Sequence, residues 1–85
     1  MYRIEFSSNA RRQFLKLEKE VQKQISNALN RLIYRPEQFV KKLVGYEAYR
    51  LRVGKYKVIL DIKKDGLVIW VIEIGHRKNV YRGLR

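Results

Sequence analysis

YRLRVGKYKVILDIKKDGLVIWVIEI, residues 49–74, reads as three strands joined by two tight turns. Residues 49–53, 56–62 and 67–75 carry the β-branched, aromatic and apolar residues of strands. VGKY makes the first turn. KKDGL makes the second, because Asp-Gly between apolar runs is a strong hairpin signal. The first pair alternates apolar with polar, so it has one buried face. LVIWVIEI is almost wholly apolar and reads as a central strand with both faces at least partly covered.

Working outward, YRIEF (residues 2–6) alternates as a further short strand, and SSN supplies a helix N-cap. From Asn9 to Tyr34 the apolar residues fall at helical spacing, with Leu17, Val21, Ile25 and Leu29 forming an i, i+4 row. The stretch is either one long helix or a helical hairpin broken near Leu17–Glu20. Pro36 ends it. Residues 36–48 read as a connector, in which KLVG is a candidate addition to the sheet edge. The fold class is α+β: an antiparallel sheet, made of the N-terminal strand plus a three-stranded C-terminal meander, with two helices or a helical hairpin on one face. At 85 residues the expectation is one domain, 1–85, with a modest core and no cysteine to staple it.

Charge is the strongest global feature. Twenty Lys and Arg against eight Asp and Glu give +12, divided evenly between residues 1–42 and 43–85. An excess spread along so short a chain points to a polyanionic partner, nucleic acid or an acidic protein. With no apolar leader, no run of membrane-spanning length and no cysteine, the expected setting is the cytoplasm, without a membrane partner.

The cations concentrate where the meander leaves a face open. A two-residue turn at Gly54-Lys55 sets Val53 against Tyr56, Arg52 against Lys57 and Arg50 against Ile59. Arg50, Arg52 and Lys57 then project together. Leu51, Val53, Tyr56, Val58, Leu60 and Ile62 face the helices. A turn at Asp65-Gly66 places Lys57 across from Ile74, so Trp70, Ile72, Ile74 and His76 share the cationic face and border it with apolar surface. Strict alternation puts Glu73 and Arg77 on the helix face, and a bend at Gly75 would be needed to bring Arg77 to the cations. Like charges set directly opposite destabilise a sheet, so Arg52 facing Lys57 suits an anion between them. In the tail GHRKNVYR, Arg77 can fork onto a phosphate. His76 can titrate near neutrality, and Tyr81 can stack on a base or move a proton at its phenol. Asp61, Asp65, Glu73 and Glu47 are not spaced as a metal cage.

YRLRVGKYKVIL, the Asp-Gly hairpin, VIEIGHRKNVYR and the upstream ARRQFLKLEKEVQKQI together resemble the RelE toxin family of the RelE/ParE superfamily, the archaeal and bacterial RelE-like mRNA interferases. The resemblance covers essentially the whole chain. It implies a RelE-like toxin of a type II toxin–antitoxin system: a metal-independent endoribonuclease, without cofactor, that cuts mRNA in the ribosomal A site by attack of the ribose 2′-OH and so inhibits translation. It also implies a RelB-like antitoxin that wraps a monomeric toxin into a hetero-oligomer, with the ribosome and mRNA as further partners. The family's functional positions match Arg50, Arg52, Lys57, Arg77 and Tyr81. Arg52, Lys57, Arg77 and Tyr81 are the expected catalytic set. Arg50, Lys55, His76, Lys78 and Arg82 are the expected RNA-binding set. Lys57 stands where better-studied members carry Arg, and His76 where some carry Lys. A ParE-like toxin that binds gyrase, and a non-catalytic RNA- or ribosome-binding protein, are the alternatives.

Overall fold

The structure, a computed structural model, describes residues 1–76. The chain runs β1 (Arg3–Phe6), α1 (Ser8–Leu15), α2 (Lys19–Asn30), a single 3-10 turn (Pro36–Gln38), β2 (Lys41–Lys42), β3 (Tyr49–Val53), β4 (Tyr56–Lys63) and β5 (Val68–His76). The five strands form one sheet in the order β1-β5-β4-β3-β2. The hairpins β2–β3, β3–β4 and β4–β5 are antiparallel, as expected, but β1 runs parallel to β5. The helical hairpin intervenes between β1 and the meander, and no tight turn dictates β1's direction.

The helical stretch is a hairpin, broken at Lys16–Glu18 without Pro or Gly. Ser7 caps α1 by accepting from the Ala10 N–H. The Gln22 side chain of α2 donates to the carbonyls of Phe14, in the last turn of α1, and Leu17, in the break. The break is therefore held by a side chain four residues away on the next helix. α2 stops at Asn30, short of the Tyr34 expected, and Pro36 instead opens the 3-10 turn, with Arg35 extended before it (φ −142°, ψ 74°).

Ala10, Ile25, Leu29 and Leu32 pack on Leu51, Val53, Val58, Leu60, Ile62, Ile69, Val71 and Ile74, which form the helix-facing layer of the sheet. The turn at Gly54-Lys55 is as read, with Gly54 at φ 58° as the first residue of a II′ turn requires. The second turn keeps its expected register, Lys63 opposite Val68 and Leu60 opposite Val71. A β-bulge then inserts Ile72, and Ile59 pairs with Glu73, Val58 with Ile74 and Lys57 with Gly75. Every β5 residue beyond the bulge changes face relative to strict alternation. Ile74, expected beside the cations, is 2% exposed in the core, and Glu73 moves to the opposite face.

α1 holds the bulge. β1 pairing with β5 ends at Phe6 opposite Val71. Beyond it the Ser7 hydroxyl donates to the Ile72 carbonyl (2.8 Å), and the Gln13 side-chain carbonyl accepts from the Ile74 N–H (2.7 Å). Two side chains thus take the place of a strand along this edge.

Candidate nucleic-acid interface

The cationic face is a concave site. Its floor is Ile59, fully buried on the side away from the helices, where Leu43, Ala48 and Ile72 cover it. The loop between β2 and β3 folds over this apolar spot, so the face is less open than the meander alone suggests. Beside it lies a cleft of about 170 Å³ lined by Phe39, Lys41, Arg50, Arg52 and Lys57. The strand register explains the gathering. Lys41 opposes Arg50 and Arg52 opposes Lys57, so four cations from three adjacent strands occupy neighbouring positions of one face. Among the described residues no carboxylate lines this cleft. Two of the eight acids are tied elsewhere, Glu5 to Arg3 at 2.7 Å and Glu37 to Lys64 at 3.5 Å. Converging cations beside an apolar patch, with the Phe39 ring among them, are groups suited chemically to a phosphate carrying a flat group.

Residues 4–81 match the family model described as the ParE toxin of the type II toxin–antitoxin system parDE. The chain belongs to this toxin family, within the RelE/ParE superfamily. No curated protein matches it in sequence. Among solved structures, the archaeal RelE–RelB complex from Pyrococcus horikoshii OT3 contains a chain 28% identical, with a TM-score of 0.75, covering 89% of this chain and 94% of that one. The intact RelBE toxin–antitoxin complex of E. coli gives 26% identity and a TM-score of 0.77, over 89% and 96% of the two chains. The RelBE2 complex of Mycobacterium tuberculosis gives 23% identity and a TM-score of 0.81, over 89% and 98%, a likeness of fold alone. The protein is a type II toxin of the RelE/ParE superfamily.

Within the toxin, Arg50, Arg52 and Lys57 are brought together as read from the sequence. Lys55 is exposed in the turn between β3 and β4. His76 departs from its expected place. The bulge sets it opposite Tyr56, whose ring lies 5.8 Å away in an edge-on contact, on the face that Lys57 does not share. Trp70 borders a different region. Lys63 sits 5.9 Å from its ring centroid, and it lines a groove with Phe6, Phe14 and Leu15. Of the expected apolar border, only Ile72 remains near the cations, packed on Ile59. Arg77, Lys78, Tyr81 and Arg82 lie outside the described residues.

Phe39, Lys41 and Glu73 were not singled out for this site. Phe39 and Lys41 come from the connector, and only the pairing of β2 with β3 brings them in. Glu73 reaches this face through the bulge, and burial raises its carboxyl above the ordinary value. Among the described residues no helix is long and apolar enough to cross a membrane.

Proposed function

We propose that this toxin is a ribosome-dependent endoribonuclease that cuts mRNA in the A site without a metal. The observation that carries the reading is the cleft where Lys41, Arg50, Arg52 and Lys57 converge with no acid among them. In-line cleavage by the 2′-OH builds negative charge on the phosphate oxygens, and preplaced cations answer that charge at its largest. Arg52 and Lys57 supply it, and Arg50 and Lys55 hold the backbone. Arg77 adds a guanidinium fork, Tyr81 serves as base or stacking platform, and His76, Lys78 and Arg82 extend the RNA contact. A phenol ordinarily titrates near pH 10, so Tyr81 acts as a base only with cations beside it. The partner is a RelB-like antitoxin, as in the RelBE complexes whose toxin chains share this fold. The toxin acts as a monomer in the cytoplasm and is silenced as a hetero-oligomer.

Primer extension on programmed ribosomes, beside naked RNA, tests the reading. Cuts confined to the A-site codon support it, and intact mRNA in both tubes overturns it. A second reading is favoured by the matching family model, which is that of the ParE toxins. In that reading the same cationic face docks on gyrase, and trapped DNA cleavage complexes with intact mRNA identify it. Binding of RNA without any cut product identifies a non-catalytic RNA-binding protein.

A further inference from the structure

The phosphate cleft does not end at Arg52. Arg52 also lines a second concavity of about 380 Å³, bounded by Gln24, Asn27 and Arg31 of the α2 segment and by Arg52 and Gly54 of the first hairpin. Residues 24, 27, 28 and 31 are spaced i, i+3, i+4 and i+7, so they form one stripe along the helix, and the stripe faces the β3–β4 turn. Arg31 is the C-cap of α2, where a cation suits the negative end of the helix dipole. Gly54 brings no side chain into the space, and nothing stands within 4 Å of where a Cβ would project. Among the described residues no carboxylate lines the groove. Among the described residues, no hydrogen bond or ion pair engages the side chains of Gln24, Asn27, Arg31 or Arg52.

Two cavities that both have Arg52 in their lining, with no carboxylate from the described residues in either, describe a track. We propose that the groove between α2 and the β3–β4 turn is a second nucleotide subsite, taking the phosphodiester next along the strand from the one held in the cleft. Arg31 grips that phosphate from the helix side and Arg52 from the sheet side, so the strand crosses Arg52 as it leaves the cleft. Gln24 and Asn27 each offer an amide donor and acceptor, the groups that read a base edge or a 2′-OH. The ligand class is single-stranded RNA longer than the cleft alone accommodates. The inference rests on the ribonuclease reading above and extends it from one phosphate to a path.

Fluorescence anisotropy with labelled single-stranded RNA tests it, using a dinucleotide and a dodecanucleotide with wild type, Arg31→Ala and Arg31→Lys, each checked for native circular dichroism. The expected result is that Arg31→Ala weakens dodecanucleotide binding about tenfold and lowers the salt slope by roughly 0.7, one phosphate contact on a single strand. Arg31→Lys recovers most of the loss, and dinucleotide binding, with its single phosphodiester, is the same in all three proteins. Dodecanucleotide affinity and salt slope unchanged in Arg31→Ala, while wild type binds and cuts RNA, overturn the subsite and leave the ribonuclease reading standing. A wild type that neither binds these RNAs at low salt nor cuts mRNA on the ribosome overturns both.

Discussion

The Gln13 side-chain carbonyl accepts a 2.7 Å hydrogen bond from the backbone N–H of Ile74, two residues beyond the bulge that reverses the faces of β5. With the Ser7 hydroxyl on the Ile72 carbonyl, it fixes which β5 residues look toward the cations and which toward the core. Gln13→Ala leaves a half-buried N–H without a partner. The expected loss is about 1–3 kcal/mol in urea unfolding. Gln13→Glu keeps an acceptor and is expected to retain more of the stability. Equal loss in both variants would mean that packing, rather than this bond, accounts for the effect.

Arg52 and Lys57 face each other across β3 and β4 with like charge. This arrangement opposes folding and, on the proposed ribonuclease reading, serves binding, so the two properties are expected to separate on mutation. Arg52→Gln is expected to leave the melting temperature unchanged or raise it at low salt. mRNA cleavage is expected to fall roughly 10²-fold. Added salt screens the repulsion, so the melting-temperature difference between variant and wild type shrinks as ionic strength rises. A variant that is less stable at every salt concentration would show that Arg52 is instead a structural contact.

Ile59 is fully buried beside the cleft, against Leu43, Ala48 and Ile72. Ile59→Ala is expected to cost about 2–5 kcal/mol, and Ile59→Val about 0.5–1.5 kcal/mol, by chemical denaturation. The valine variant folds and isolates the functional effect. If the apolar floor positions Arg50, which pairs with Ile59 across the hairpin, cleavage falls more than the lost stability alone accounts for.

The legible part of the fold was local. A serine before a helical pattern, Gly-Lys and Asp-Gly between strands, and alternation in YRLRVGKYKVIL each act within a few residues. They suffice to place four strands, the helical stretch (one long helix or a hairpin) and the Arg52–Lys57 pair. The bulge was not legible, because in LVIWVIEI nearly every position is apolar and either face accepts either parity. Its cause lies in Ser7 and Gln13, more than sixty residues away in the chain for each bond. The parallel direction of β1 and the entry of Phe39 and Lys41 into the cleft are likewise products of long-range pairing. The cations themselves were legible because Arg50, Arg52 and Lys57 all sit on the one hairpin whose two-residue turn fixes its register.

Glu73 supplies the pH dependence that this site should show. Its carboxyl lies on the cationic face opposite Ile59, with Lys57 and Asp61 on β4 and Arg50 on β3 nearby in the register, and burial raises its pKa above the ordinary 4.5. A raised carboxyl pKa means that the folded protein holds this proton more tightly than the unfolded chain. As pH climbs from 4.5 through the folded value, the unfolded chain has already lost its proton while the folded one must still give it up. Stability therefore falls across that window, and the full penalty remains at neutral pH. Glu73→Gln removes the ionisation and keeps the shape. Its melting temperature is expected to match wild type below pH 4.5 and to exceed it increasingly toward pH 7. Melting curves of both proteins across that range decide the matter. A variant less stable than wild type at neutral pH would reverse the sign, showing that attraction from Arg50 and Lys57 outweighs the desolvation of Glu73.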